Sequence, residues 1–206
     1  MFESSTLITF SIAALIIIVI PGPAVLFIIT QSIESGRNAG LISVSGILTG
    51  GFIHVITASL GVAAIFAASP LAFNLLKFLG AAYLIFLGIS TFRNKRSGKS
   101  KGIIYKKNNT HIYRQGVWVN LLNPKAALFL LAFLPQFTDP SKGLLSLQIF
   151  ILGILFITFA AISDAAYALL AAQIGLWLKS HPNSGIFQKY FSACIYILLG
   201  FFAAFY

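Results

Sequence analysis

The chain has 206 residues, of which 58% are apolar and 9% charged, with a formal net charge of +10. Soluble domains carry about 25% charged residues, so a mean hydropathy of +0.93 excludes a soluble domain and calls for an integral membrane protein in one compact bundle. In a soluble protein the positive charge would suggest nucleic acid; here a polybasic nucleic-acid or lipid patch would lack aromatic interleaving and a folded polar domain, and the bilayer is the expected partner.

Residues 4–33 carry no charged side chain, and 38–76 carry only His54 as a titratable group. Both stretches exceed the roughly 20 apolar residues that cross a bilayer. The N-terminus has Glu3, no basic leader region and an apolar run too long for a secretory signal, so it reads as a retained first span.

Span 1, about Leu7 to Thr30, is interrupted by Pro21-Gly22-Pro23. Proline removes a backbone donor and disfavours helix at the residue before it, which predicts either a plain kink or two half-helices. In the second case the segment from Pro23 and Ala24 exposes a helix N-terminus inside the membrane, suited to a carboxylate. A polar turn is expected over Gln31 to Ala39.

Span 2 follows from about Gly40 to Ala68, with Gly46 and Gly50 spaced for close helix approach. His54 lies near its middle, either as a hydrogen-bonded core histidine or as a proton carrier. Span 3, about Leu71 to Phe92, begins near Lys77, which can snorkel to the interface.

Arg93 to Gln115 is the long hydrophilic interval and holds eight of the fourteen basic residues. Span 4, from Gly116 to Phe137, contains Asn120-Leu121-Leu122-Asn123-Pro124-Lys125-Ala126. Pro124 must break or kink it, and a lysine beside free backbone at membrane depth is a candidate binding element.

A tight turn is expected over Thr138 to Gly143. Span 5, about Leu144 to Leu176, carries Asp164, with 21 uncharged residues before it and 14 after it. So deep an acid needs a partner or a cavity. Span 6 runs from about Gly185 to the C-terminus. Its Cys194, the one cysteine, cannot form an internal disulfide.

The expected architecture is therefore all-α: a polytopic membrane protein of six transmembrane helices in a single domain, 1–206. Repeat 1 covers about 1–92, the basic loop 93–115, and repeat 2 about 116–206. Three spans per repeat is an odd number, so the repeats are inverted, with helices 1 and 4 broken. Pro23-Ala24-Val25-Leu26-Phe27 and Pro124-Lys125-Ala126-Ala127-Leu128-Phe129 match after one insertion, and broken helices in corresponding positions point to a transporter's central site. Arg37, the basic loop and Lys179 share one side, which predicts a cytoplasmic loop and both termini outside.

Pro21-Gly22-Pro23, the Gly46/Gly50/His54 helix, Lys77 with Gly80-Ala81-Ala82-Tyr83 and Gly88, the Asn120–Ala126 motif and Ala132-Phe133-Leu134-Pro135-Gln136-Phe137 together resemble the LysE/RhtB amino-acid exporters over almost the whole chain. The resemblance implies an inner-membrane protein of bacteria that expels amino acids in exchange for protons. Substrate-binding candidates are Pro21, Gly22, Pro23, Ala24, Asn120, Asn123, Pro124 and Lys125.

Asp164 and His54 are the proton-coupling candidates, and no metal, cofactor or catalytic set is expected. Lys125 and Asp164 either bracket a zwitterion or pair with each other. One deep acid favours neutral substrates such as leucine, threonine or homoserine over lysine or arginine; a channel-like permease is the other class. The glycine faces permit a homodimer.

Overall fold

The computed structural model describes residues 2–61 and 108–179, together with single positions between 71 and 89 and between 190 and 201. Most of spans 3 and 6, the basic interval up to Lys107 and the turn at 180–183 lie outside the described residues. Among the described residues the chain is all-helical.

The elements are α1 (Ser4–Val19), α2 (Pro23–Ser35), α3 (Arg37–Ser59), α4 (Asn109–Leu121), α5 (Pro124–Ala127) and α6 (Leu145–Lys179). α5 continues as a π turn, Leu128–Phe133, and a 3-10 turn, Leu134–Phe137.

α3 and α6 are each long and apolar enough to cross a membrane. Two bent pairs would add a span each: α1 with α2 at 49°, and α4 with the segment from Pro124 to Phe137 at 54°. The described residues thus supply two to four candidate spans.

Both bends have one cause. Ile20 (ψ 117°), Gly22 (ψ −171°) and Asn123 (ψ 108°) each precede a proline and are each extended. The proline ring disfavours helical ψ in the residue before it, so the helix stops there and restarts with proline in its first turn. Pro135 behaves differently: Leu134 before it stays helical (ψ −40°), and the preceding turn widens into the π segment. Widening eases the clash between a proline ring and the carbonyl four residues back.

Three expected boundaries need correction. The polar turn over Gln31 to Ala39 contracts to Gly36, whose φ of 88° turns the chain in one residue. Gln31 and Ser32 are consequently buried inside α2. In span 2 the helix α3 ends at Ser59, because Gly61 adopts φ 82°, and the expected continuation over 62–68 lies outside the described residues. Span 4 starts at Asn109 rather than Gly116: the Asn108 side chain accepts from Thr110 N at 3.1 Å and caps α4, so residues 109–115 are helix and not loop. Span 5 extends from Leu145 to Lys179.

Helix packing depends on backbone contact, since lipid tails are as apolar as leucine and give little hydrophobic drive between helices. A Cβ at Gly46 would lie 2.3 Å from the Tyr113 carbonyl oxygen, and one at Gly116 would lie 2.9 Å from that of Ser43. The α3–α4 crossing is therefore glycine on glycine. Gly153 gives room to Val55, and Gly175 to the Ile33 backbone, which brings α6 against α3 and α2.

Beside this frame α1 presents Phe10, Ala14 and Ile18, four residues apart, to a core containing Phe129, Leu134 and Phe156. Phe129 stacks on Phe156 at 4.6 Å, and Phe10 meets Phe137 edge-on at 5.3 Å.

At the end of α1, Glu3 pairs with Lys142, which also lies 3.7 Å from Asp139. Lys142 holds the Glu3 carboxyl below its ordinary pKa, and hydrogen bonds from Ser141 do the same for Asp139. Glu3 in turn raises the Lys142 ammonium. Buried Gln148 shapes this turn by accepting from Asp139 N at 3.0 Å and donating to Asp139 O at 2.8 Å.

Candidate functional site

The two breaks meet. A cavity of about 70 Å³ is lined by Gly22, Ala24 and Val25 from the first break and by Asn120, Asn123, Lys125 and Ala126 from the second. α6 contributes Phe156, Ile157, Ala160 and Asp164, and α3 contributes Ile47, Leu48 and Gly51. Of the residues expected from sequence, Gly22, Ala24, Asn120, Asn123, Lys125 and Asp164 reach the cavity. Pro21, Pro23 and Pro124 shape its walls without lining it, and His54 lies behind Asn120.

The two helix starts differ. Gly22 provides no side-chain cap, so the first N–H groups of α2 have no partner from that position. At α5, Asn123 Oδ1 already accepts from Lys125 N at 3.1 Å. Of the two helix starts that the prolines create, only that of α2 lacks such a cap.

Lys125 lies across Gly22: a Cβ there would stand 3.1 Å from its Cδ and 3.6 Å from its Nζ. Its ammonium donates to the Ile20 carbonyl oxygen at the end of α1. Asp164 is 5% exposed and faces the same cavity, yet among the described residues no ion pair within 4.0 Å joins it to Lys125. The positive and negative groups therefore border one cavity without closing on each other.

Asn120 Nδ2 donates to Ile47 O at 2.7 Å, which fixes its amide against α3. His54, 6% exposed, places Nε2 3.2 Å from Asn120 O. The sequence reading missed Tyr167, whose hydroxyl donates to Val19 O at 2.9 Å. Its position one turn beyond Asp164 on the same helix face was the available signal.

A larger cleft of about 330 Å³ lies away from the breaks, among Glu3, Thr6, Gln136, Asp139, Lys142 and Gln148. Its charged groups satisfy one another.

With this geometry in place, comparison with known proteins shows the family of the chain. The model of the LysE type translocators matches residues 15–206. The chain belongs to the LysE type translocator family. A homoserine/homoserine lactone efflux protein of Salmonella typhimurium is 33% identical over 180 residues, covering 87% of this chain and 86% of the relative. An uncharacterized membrane protein of Vibrio cholerae is 32% identical over 192 residues, covering 91% and 93%. No solved structure matches the chain. Within this LysE type translocator the apolar exposed faces of α1, α3 and α6 are surfaces for lipid or for neighbouring helices rather than aggregation liabilities.

Proposed function

We propose that this translocator exports small neutral amino acids, with homoserine, threonine and leucine as the candidate set, across the bacterial inner membrane in exchange for protons. The observation that carries this reading is the single cavity shared by both helix breaks, with Lys125 and Asp164 on its walls and no ion pair between them. A zwitterion needs a cation and an anion at close range, and it fills the gap that the two side chains leave.

In this reading the substrate carboxylate meets the first free N–H groups of α2, at Ala24 and Val25, where the helix end carries partial positive charge. The Lys125 ammonium has three donors, so it can keep Ile20 O and still reach that carboxylate. The Asn120 and Asn123 amides border the same space. Asp164 receives the amino group or the coupling proton, and exchange between the two drives the cycle. The cavity has room for several waters at roughly 15 Å³ each, which suits a small polar headgroup and favours the homoserine type of substrate named for the Salmonella relative.

The broken α1–α2 and α4–α5 pairs support an architecture of two inverted three-helix repeats in a single domain, six spans in all, with both termini outside and the basic loop in the cytoplasm. The test is counterflow in proteoliposomes. Accumulation of a labelled neutral amino acid against preloaded unlabelled substrate supports a carrier. Flux that follows only the solute's own gradient indicates a channel, and selective uptake of lysine or arginine overturns the neutral assignment.

A further inference from the structure

Each break carries a proline whose missing N–H would have served the carbonyl four residues back in a continuous helix. For Pro23 that carbonyl is Val19 O, and for Pro124 it is Asn120 O. Both are met by side chains from a different part of the fold. Tyr167 on α6 donates to Val19 O at 2.9 Å. His54 on α3 has Nε2 3.2 Å from Asn120 O; a carbonyl cannot donate, so Nε2 carries the hydrogen in this contact.

Asn123 N also approaches Asn120 O, at 3.1 Å, so His54 takes the second lone pair of that oxygen. The two contacts are counterparts. α3 is the helix that follows the first broken pair, and it serves the second break; α6 follows the second broken pair and serves the first break.

We propose that Tyr167 and His54 are matched positioning residues, each replacing the donor that a proline removed from the other half of the chain and so holding that break open at the geometry the cavity requires. The proposal rests on the transport reading above and deepens it: neither residue lines the cavity, so each acts through the backbone it holds. A carbonyl at membrane depth has no water to turn to, so Tyr167 serves Val19 O at the first break, and at the second His54 adds to the Asn123 N–H on Asn120 O. Crossed support also explains how two separate breaks stay in register. A shift of either half would pull a donor from the break in the other.

The test uses the full chain, reconstituted, with Tyr167→Phe and His54→Leu. Each variant raises the apparent KM for the counterflow substrate about tenfold, the effect of losing one hydrogen bond that holds a break in place, while maximal rate changes less than about twofold. His54→Gln keeps an N–H donor and restores KM toward wild type. Thermal unfolding in detergent supplies a readout independent of transport.

Pro23→Ala restores the N–H that a continuous helix would direct at Val19 O, so its loss and that of Tyr167→Phe are less than additive, whereas Tyr167→Phe with Pro124→Ala is additive; His54→Leu shows the reverse pairing. If the proline variants do not fold, the comparison of His54→Gln with His54→Leu decides. Equal losses for those two, or unchanged KM in Tyr167→Phe, overturn the proposal. A wild-type protein that moves no amino acid, yet shows the crossed pattern in unfolding, sinks the transport reading and leaves the crossed support standing.

Discussion

The Lys125 ammonium hydrogen-bonds the Ile20 carbonyl, 105 positions away in sequence, and so joins the break of the second half to the break of the first. That contact gives one side chain two roles. It satisfies an oxygen freed by the Pro21-Gly22-Pro23 interruption, and it holds a positive charge over Gly22 at the cavity wall.

Replacing Lys125 by Ala therefore removes a cap and a charge together. We expect stability to fall by about 1–3 kcal/mol from the unmet acceptor, and counterflow to fall at least about tenfold. Denaturation in detergent and uptake by proteoliposomes, measured on one preparation, check both. Lys125→Met, of similar length but without charge, loses the same transport if charge is what matters.

Gly22 and Gly46 are predicted to fail differently. A Cβ at Gly46 meets the Tyr113 carbonyl at 2.3 Å, and backbone cannot yield, so Gly46→Ala forces α3 and α4 apart. Overpacking of this kind costs about 1–3 kcal/mol, read as a lowered unfolding midpoint. At Gly22 the obstacle is the flexible Lys125 side chain, at 3.1 Å. Gly22→Ala is expected to leave the unfolding midpoint near wild type while reducing counterflow.

Asp164→Asn keeps the size and polarity of the side chain but cannot exchange a proton. Exchange of labelled for unlabelled amino acid continues at a reduced rate, since the anion facing the amino group is gone, while export driven by an imposed pH gradient is lost. Full gradient-driven export by Asp164→Asn means that coupling lies elsewhere.

The Glu3–Lys142–Asp139 cluster predicts a pH dependence of the N-terminal attachment. Glu3 and Asp139 have folded pKa values below their ordinary 4.5 and 3.8, so their contribution is present above those values and is lost as pH falls through the lowered ones. Lys142 is raised above its ordinary 10.5, so its contribution is full below that value and fades as pH climbs past the raised one. Spin labels at Phe2 and the exposed Leu144 should report a constant short distance across the neutral range and lengthening at both extremes. Glu3→Gln should weaken the acid step.

Local chemistry made the breaks legible. Three residues preceding prolines, Ile20, Gly22 and Asn123, adopt the extended backbone that the following ring demands, and no tertiary information is needed to expect it. The same holds for the close approach at Gly46 and Gly50, now matched to α4, which uses those glycines within the chain.

Contacts between a side chain and a distant carbonyl leave no periodic trace. Gln148 on Asp139 was invisible for that reason, and for Tyr167 on Val19 the sequence offered only a helix face shared with Asp164. Helix limits fell where one residue decided them: Gly36 and Gly61 by left-handed backbone, Asn108 by its cap. The convergence of Gly22, Asn120, Asn123, Lys125 and Asp164 on one cavity was expected from depth and proline placement; the difference between the uncapped α2 and the capped α5 was not.

The most direct measurement of the central claim is counterflow of labelled homoserine into proteoliposomes preloaded with unlabelled homoserine, for the wild type beside Lys125→Ala. Transient accumulation in the wild type and its loss in the variant are predicted. Undiminished accumulation in Lys125→Ala, or none in the wild type with homoserine, threonine or leucine, contradicts the claim that the two broken segments enclose an amino-acid site.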